Sequence, residues 1–480
     1  MKKLKTNVSL PEKETIDPAI LKVAVILVIG ALAPLLDSTM VNVAIKTIAG
    51  DLKSTVSVIQ WVITGYVLAM GMAVPISGWA NNRFGDKRLY IFSLALFLIG
   101  SILSSLSWNI DSLIFFRLLQ GIGAGLIMPT LTTMLVRITG GQNMGRLMSI
   151  VGLPMLLGPI LGPVLGGIIV NTLSWRWIFY VNIPITIIAL VLAVWGLPKD
   201  KPSVSKQPLD IIGFLLLSPS FTMLIYGISQ IRSHGGLVSS AVIIPLVIGI
   251  TLLIAFIFYA LRTKNVVIVD LSLFKSRNFS ASSILLFLSG IITNGGMLLL
   301  PLYYQQVRGE SVLFAGLLLI PQGVGMLLTR SLVGRLTDSI GSRLIIMISL
   351  VITIVGTLPF AFAGANTSQV LLASAMLLRG AGLGGLFIPI MASAYLGLSG
   401  DQVPDASITT RISQTIGGAF GPAILATILQ HQLSSHGVSN IQTVTGAYNV
   451  AFGWSIGFIV IAVIPTILLS KHKDVPVTVE

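Results

Sequence analysis

Gly78-Trp-Ala-Asn-Asn-Arg-Phe-Gly-Asp-Lys-Arg88 and Gly334-Arg-Leu-Thr-Asp-Ser-Ile-Gly-Ser-Arg343 are two versions of one short charged loop, set 256 residues apart. Each sits between long apolar runs. Arg117-Leu-Leu-Gln-Gly-Ile-Gly has a looser counterpart in Arg379-Gly-Ala-Gly-Leu-Gly, at an offset of 262, and Gly158-Pro159 pairs with Gly421-Pro422 at an offset of 263. Three matches at nearly one offset, in one order, mean two parallel halves, an architecture built by internal repetition.

The solvent around those halves follows from composition. The chain has 480 residues, of which 54% are hydrophobic and 10% charged. A water-soluble surface cannot be made from so little charge, and the apolar runs recur near the ~20 residues that cross a bilayer as helix. We read fourteen spans, at about 21–45, 56–80, 89–107, 112–136, 145–171, 176–197, 209–230, 238–261, 279–304, 312–334, 343–364, 369–394, 405–430 and 447–470. With the N-terminus in the cytoplasm, 22 of the 30 Lys and Arg residues fall on cytoplasmic segments, Arg411 among them. Five fall outside, and Arg117, Arg330 and Arg379 fall within spans. Positive charge collects on the cytoplasmic side of membrane proteins, so both termini are expected inside. The apolar run of the first span continues past Ala31-Leu32-Ala33, a sequence that resembles a cleavage site, so that span is expected to remain uncleaved.

The expected organisation is a six-helix half over 1–197, a linker with two inserted helices over 198–278, and a second six-helix half over 279–480. Val269–Phe274 is a candidate interfacial helix. The net charge of +14 is read as membrane topology, with no feature pointing to nucleic acid. The absence of cysteine excludes thiol and disulfide chemistry.

These segments resemble the major facilitator superfamily, and within it the fourteen-helix drug:proton antiporter branch. The resemblance rests on the 78–88 loop, on Leu113-Ile-Phe-Phe-Arg117-Leu-Leu-Gln120-Gly121-Ile-Gly123 in the fourth span, and on the run from Gly152 to Gly167 in the fifth. Leu36-Asp37-Ser-Thr-Met-Val-Asn42-Val-Ala44 and Trp175-Arg-Trp-Ile-Phe-Tyr-Val-Asn-Ile-Pro184 add to it. It implies an all-α membrane protein with a major facilitator fold, working as an exporter without a cofactor, as a monomer in the bacterial inner membrane. It also implies that Gly78, Arg83, Gly85, Asp86, Lys87 and Arg88, with Gly334, Asp338, Gly341 and Arg343, form cytoplasmic gating loops. This chain departs from the family pattern by carrying Asn82 where an Asp is usual, and Asp86 where a base is usual. Asp86 either substitutes for that Asp or leaves the latch weaker.

An ionisable side chain within the bilayer is costly and marks a functional site by default. Asp37 is the one carboxylate well inside an expected span, and burial favours its taking up a proton, the property a proton-coupled carrier requires. Arg117 is its natural opposite charge, and the resemblance places the fourth helix near the first. Gln120, one turn on, is positioned to share their network. Gly158, Gly162 and Gly166 recur every four residues and line one face, with Pro159, Pro163 and Gly167 beside them. That face permits close helix approach; the resemblance implies an interface between the halves. Arg330 and Arg379 are expected to snorkel to the membrane surface. Asn42, Trp61, Tyr66, Asn294, Tyr303 and Gln322 are candidates for a central cavity.

Enzymatic readings fail. Gly453-Trp-Ser-Ile-Gly457 lies inside an apolar span rather than at a strand-to-helix turn, and no phosphate-binding loop or metal-ligand pattern occurs. The expected function is proton-coupled export of small amphipathic compounds, with monovalent lipophilic cations or neutral drugs fitting a single buried acid. Export of a defined metabolite, lipid or peptide is the alternative. Uptake by symport, or a non-transporting scaffold, fits less well.

Overall fold

A computed structural model of the chain describes residues 17–54, 56–139, 153–200, 208–233, 239–263, 267–310, 312–400, 402–436 and 441–470. All its regular structure there is helical. The membrane helices are α1 (Pro18–Asp51), α2 (Val56–Ala73, continued by Ile76–Phe84), α3 (Asp86–Ser105), α4 (Ile110–Thr139), α5 (Leu153–Thr172), α6 (Trp177–Gly196) and α7 (Ile211–Ser233). They continue with α8 (Ser240–Arg262), α9 (Arg277–Gln306), α10 (Ile320–Ile340), α11 (Ser342–Thr357), α12 (Gln369–Gly384), α13 (Val403–His436) and α14 (Ile441–Ile461). Eleven described helices are long and apolar enough to cross a membrane, or up to 13 if each of two bent pairs is one span. One more expected span falls on the 20-residue α5, where residues 145–152 lie outside the described residues.

Local chemistry sets these helices. Asp17 accepts a hydrogen bond from the Ala19 amide at 2.8 Å, and Pro18 occupies the first turn, where a missing N–H costs nothing. α1 then runs unbroken through Ala31–Ala33. α2 bends by 53° at its break, where Pro75 interrupts the backbone ladder. The expected interfacial helix at 269–274 is a short 3-10 turn, Leu271–Lys275, capped by Asp270.

Packing gives the glycine face of the fifth helix a partner. A Cβ on Gly162 would collide with Thr39 of α1, and one on Gly166 would lie 3.0 Å from the Met40 carbonyl oxygen. The glycine face of α5 therefore presses against α1 inside its own half, and α5 also meets α10 of the second half. Its echo in α13 does the same in the second half: Gly417 and Gly421 lie against the Phe287 and Ile291 carbonyls of α9. Small residues let each pair of helices approach backbone to backbone. The side-chain environments of Gly158, Pro159 and Pro163 lie outside the described residues, and Gly167 faces open space.

At the end of the bundle assigned to the outside, Asp51 accepts from Trp175 Nε1 at 2.8 Å and from Arg176 at 3.0 Å, while Arg176 also donates to the Ser107 carbonyl at 3.2 Å. The Trp175 N–H first, and Arg176 second, hold the Asp51 carboxyl below its ordinary value. A depressed folded value contributes stability above the unfolded value and loses it as pH falls through the folded one. The carboxylate is half exposed, so the contribution is small. Asp51→Asn is expected to lower the thermal midpoint modestly at pH 7 and pH 5. The deficit should close only below about pH 3.9, the ordinary aspartate value. Midpoints in detergent against pH check this.

Candidate functional site

The sequence buries four polar side chains together in the first half. Asp37 on α1, Gln120 on α4 and Asn182 on α6 are fully buried, and Arg117 on α4 is 1% exposed. Arg117 Nη1 donates to Asp37 Oδ2 at 2.5 Å and to Gln120 Oε1 at 2.5 Å. Asp37 Oδ1 accepts from Asn182 Nδ2 at 2.8 Å and from Gln120 Nε2 at 3.2 Å. Gln120 also donates to Ser101 of α3 at 2.7 Å. The Arg117 guanidinium lies 3.9 Å from the Tyr66 ring centroid, and its Nε donates to the Val62 carbonyl at 3.2 Å.

Glycines make this convergence possible. A Cβ on Gly121 would lie 2.5 Å from the Tyr66 carbonyl of α2, and one on Gly123 would lie 2.7 Å from the Phe97 amide of α3. Gly100 leaves the corresponding space for the Gln120 backbone. So α4 is clasped between α2 and α3, and its two polar residues reach inward.

The arrangement has a definite chemistry. With Asp37 ionised, the pair is neutral and every partner of the carboxylate is a donor. With Asp37 protonated, Arg117 loses its counter-charge. The Tyr66 ring, the Val62 carbonyl and the Gln120 oxygen then remain to hold it. Asn182 was not singled out as a site residue from sequence; a neutral amide in an apolar run carries little signal, although it lies in the quoted 175–184 stretch.

The second half repeats the arginine and omits the acid. Arg379 on α12 is 1% exposed, donates to Gln322 Oε1 at 2.5 Å and to the Ile292 carbonyl at 3.2 Å, and presses against Gly296. Arg330 is also buried, at 7% exposed. Snorkelling is thus corrected for both, because their side chains turn into the protein. Arg411 is likewise not a loop residue: it lies within α13, lining a cavity.

The 78–88 loop meets the second half. Gly78 leaves room for Asp405 and Ile408 of α13. Arg137, at the end of α4, donates to Asp86 at 2.8 Å, to Asn82 at 2.5 Å and to the Gly400 carbonyl across the seam at 3.3 Å. Asp86 therefore carries the negative charge of this contact, with Asn82 accepting beside it. Thr133 and Ser407 join the halves at 3.2 Å nearby. These contacts bring the halves together at the end of the bundle that the charge count assigns to the cytoplasm. Gly85 takes φ +93°, and Asp200 fits against it, accepting from the Lys87 and Arg88 amides at 2.8 and 3.2 Å. Lys87 Nζ binds the Val194 and Leu197 carbonyls at the end of α6. The second loop is built alike. Gly341 takes φ +99°, and Arg343 donates to the Leu469 carbonyl at 3.4 Å. Gly334 is buried, Asp338 half-buried and Arg83 exposed.

The description Major Facilitator Superfamily matches residues 27–422. The chain belongs to the major facilitator superfamily. It is 34% identical over 423 residues to the Multidrug resistance protein B homolog of Mycobacterium tuberculosis, covering 88% of this chain and 78% of that protein. It is 31% identical over 409 residues to the Multidrug export protein EmrB of Haemophilus influenzae, covering 85% and 80%. A crystal structure of the human organic anion transporter MFSD10 matches with a TM-score of 0.64 at 17% identity, over 95% of this chain and 100% of that one, which shows the fold alone.

The cavity candidates of this major facilitator differ in exposure. Asn42 and Asn294 are exposed on α1 and α9, each donating to a carbonyl of its own helix at 3.2 Å. Trp61 stacks on Tyr226 of α7 at 5.7 Å. Tyr66, Tyr303 and Gln322 are corrected to buried packing positions. Tyr66 lies against Arg117, Gln322 holds Arg379, and Tyr303 sits among Phe360, Tyr448 and Phe452 with its hydroxyl on the Gly364 carbonyl.

Arg117→Gln strands a buried carboxylate and is expected to destabilise by roughly 3–5 kcal/mol, the cost of breaking a buried pair. Adding Asp37→Asn should restore much of that loss, which thermal unfolding of the single and double variants measures. Because the natural chain has no cysteine, Thr133→Cys with Ser407→Cys reports closure cleanly. Oxidation should cross-link this pair readily, and Arg137→Ala should slow the reaction by opening the same end.

Proposed function

We propose that the protein exports small amphipathic compounds, drugs among them, from the cytoplasm in exchange for protons. It does so in the bacterial cytoplasmic membrane, with both termini inside. The observation that carries this reading is the buried Asp37–Arg117 pair, in a chain whose relatives bear the names of multidrug exporters. Halves 1–197 and 279–480 rock about a central site, with 198–278 as linker and insert, and the monomer is the working unit.

A proton from outside neutralises Asp37. Arg117, freed from its counter-charge, settles on the Tyr66 ring, the Val62 carbonyl and Gln120. This alters the contacts of α1, α4 and α6 together, because one carboxylate binds side chains from α4 and α6 at once. Release of the proton to the cytoplasm restores the pair. Arg137, bridging Asp86, Asn82 and Gly400, latches the cytoplasmic end while the carrier faces outward. The membrane potential supplies ~2.3 kcal/mol per charge per 100 mV to a cycle that moves net charge. No cofactor enters this scheme.

In liposomes with an imposed pH gradient, wild type should drive a lipophilic cationic dye against its gradient, and Asp37→Asn should reduce that movement to background. Equal uphill movement by the variant would make Asp37 structural. Failure of wild type with the dye, but not with a single metabolite, would favour a narrow exporter.

A further inference from the structure

Arg411 is a cation in the body of the bundle that none of the contacts above engages. It lies on α13, two turns beyond Val403, and lines a cavity where α7 of the insert meets α2 and α4 of the first half and α13 of the second. Among the described residues its side chain makes one hydrogen bond, a long one to Gln414 of its own helix at 3.4 Å. Among the described residues no carboxylate pairs with it. The other walls are apolar except for Thr415, one turn along α13: Met70 comes from α2, Gly125 from α4, and Phe221 and Ile225 from α7.

A guanidinium presents five N–H donors and no acceptor. The apolar walls satisfy none of them, and the Thr415 hydroxyl donates to the Arg411 backbone carbonyl at 2.8 Å instead; a charge held at membrane depth without a charged partner marks a site by its cost. Arg411 is half-buried, and the buried arginines at the core of each half differ from it in kind. Arg117 has Asp37, and Arg379 is enclosed by Gln322, a carbonyl and Gly296, with no space beside it. Arg411 alone of the three borders open space.

We propose that the Arg411 cavity binds the anionic head of an amphipathic molecule, a carboxylate, sulfonate or phosphate, whose apolar body lies against Phe221, Ile225 and Met70. This gives the insert a role, since α7 supplies the apolar wall on the seam between the halves. It also widens the range of ligands beyond the cations and neutral compounds that a lone buried acid favours. The inference rests on the export reading for the ligand's fate, but not for its binding. The same head group comes either from a free amphipathic acid or from an anionic lipid.

The test is equilibrium binding in phosphatidylcholine nanodiscs without any gradient, so that it stands apart from proton coupling. The probes are dansyl-aminoundecanoate and its uncharged methyl ester. Wild type should bind the acid more tightly than the ester. Arg411→Gln should weaken the acid by about tenfold or more, the loss of a hydrogen bond to a charged group, and leave the ester unchanged; Arg411→Lys should retain most of the affinity. If Arg411→Gln does not fold, Ile225→Trp, which fills the cavity and keeps the charge, should weaken both probes. Displacement of the acid by phosphatidylglycerol added to the nanodisc supports the site with lipid as its source, and resistance to displacement supports it with free acids as the source. Equal affinity of wild type for acid and ester, an Arg411→Gln variant that binds the acid as wild type does, or an Ile225→Trp variant that binds both probes as wild type does would overturn the proposal.

Discussion

Everything in the first half is arranged around keeping one carboxylate and one guanidinium out of water. Two opposite charges in a low-dielectric interior are costly to desolvate and are tolerable when paired and fully hydrogen-bonded. Asp37 and Arg117 meet that condition through Gln120, Asn182, Val62 and Tyr66. The glycines at 100, 121 and 123 exist at those positions because α4 must lie close to α2 and α3 for the network to close. The same constraint makes the site responsive, since one proton added to Asp37 removes half of the electrostatic balance at a stroke.

The two halves share a plan and differ in charge. Each carries an arginine at the same register on its fourth helix, each places a glycine face of its fifth helix against its first, and each has a loop with a left-handed glycine and a basic side chain binding the end of a later helix. Among the described residues, only the first half supplies an acid to its arginine. In the second, Gly296 lies against Arg379, and Gln322 gives it a neutral acceptor. The repeat therefore provides a common scaffold, within which the buried charge differs between the halves.

Much of this was legible in the sequence because a bilayer leaves so few options. Apolar runs must be helices when every backbone group needs an internal partner, and the repeats at 78 and 334 order them. Asp37 and Arg117 stood out because charge inside such runs is rare. What the sequence withheld was direction. Arg379 and Arg330 lie at a distance from a span end that suits snorkelling, yet their side chains turn inward. Gly162 and Gly166 define a face but not its partner, which proved to be α1. Arg411 was counted with the cytoplasmic segments although it falls six residues into the expected span 405–430, and it lies within α13. Tyr303 and Tyr66 have the amphipathic chemistry of a cavity wall, but packing among rings and beneath a guanidinium claims them. Asn182 and Asp200 gave no signal, since an amide in an apolar stretch and an acid in a polar linker are both unremarkable until their partners are known.

If export is exchanged for protons through Asp37, bound substrate and the Asp37 proton disfavour one another. The most direct measurement is proton release on substrate binding, followed with a pH-indicator dye in weakly buffered, purified protein at a pH where the carboxyl is protonated. By linkage, an effector that disfavours the protonated state must expel its proton. Wild type should release about one proton per bound substrate at most, and Asp37→Asn should bind substrate and release none. Release of protons by Asp37→Asn to the same extent as wild type would contradict the account.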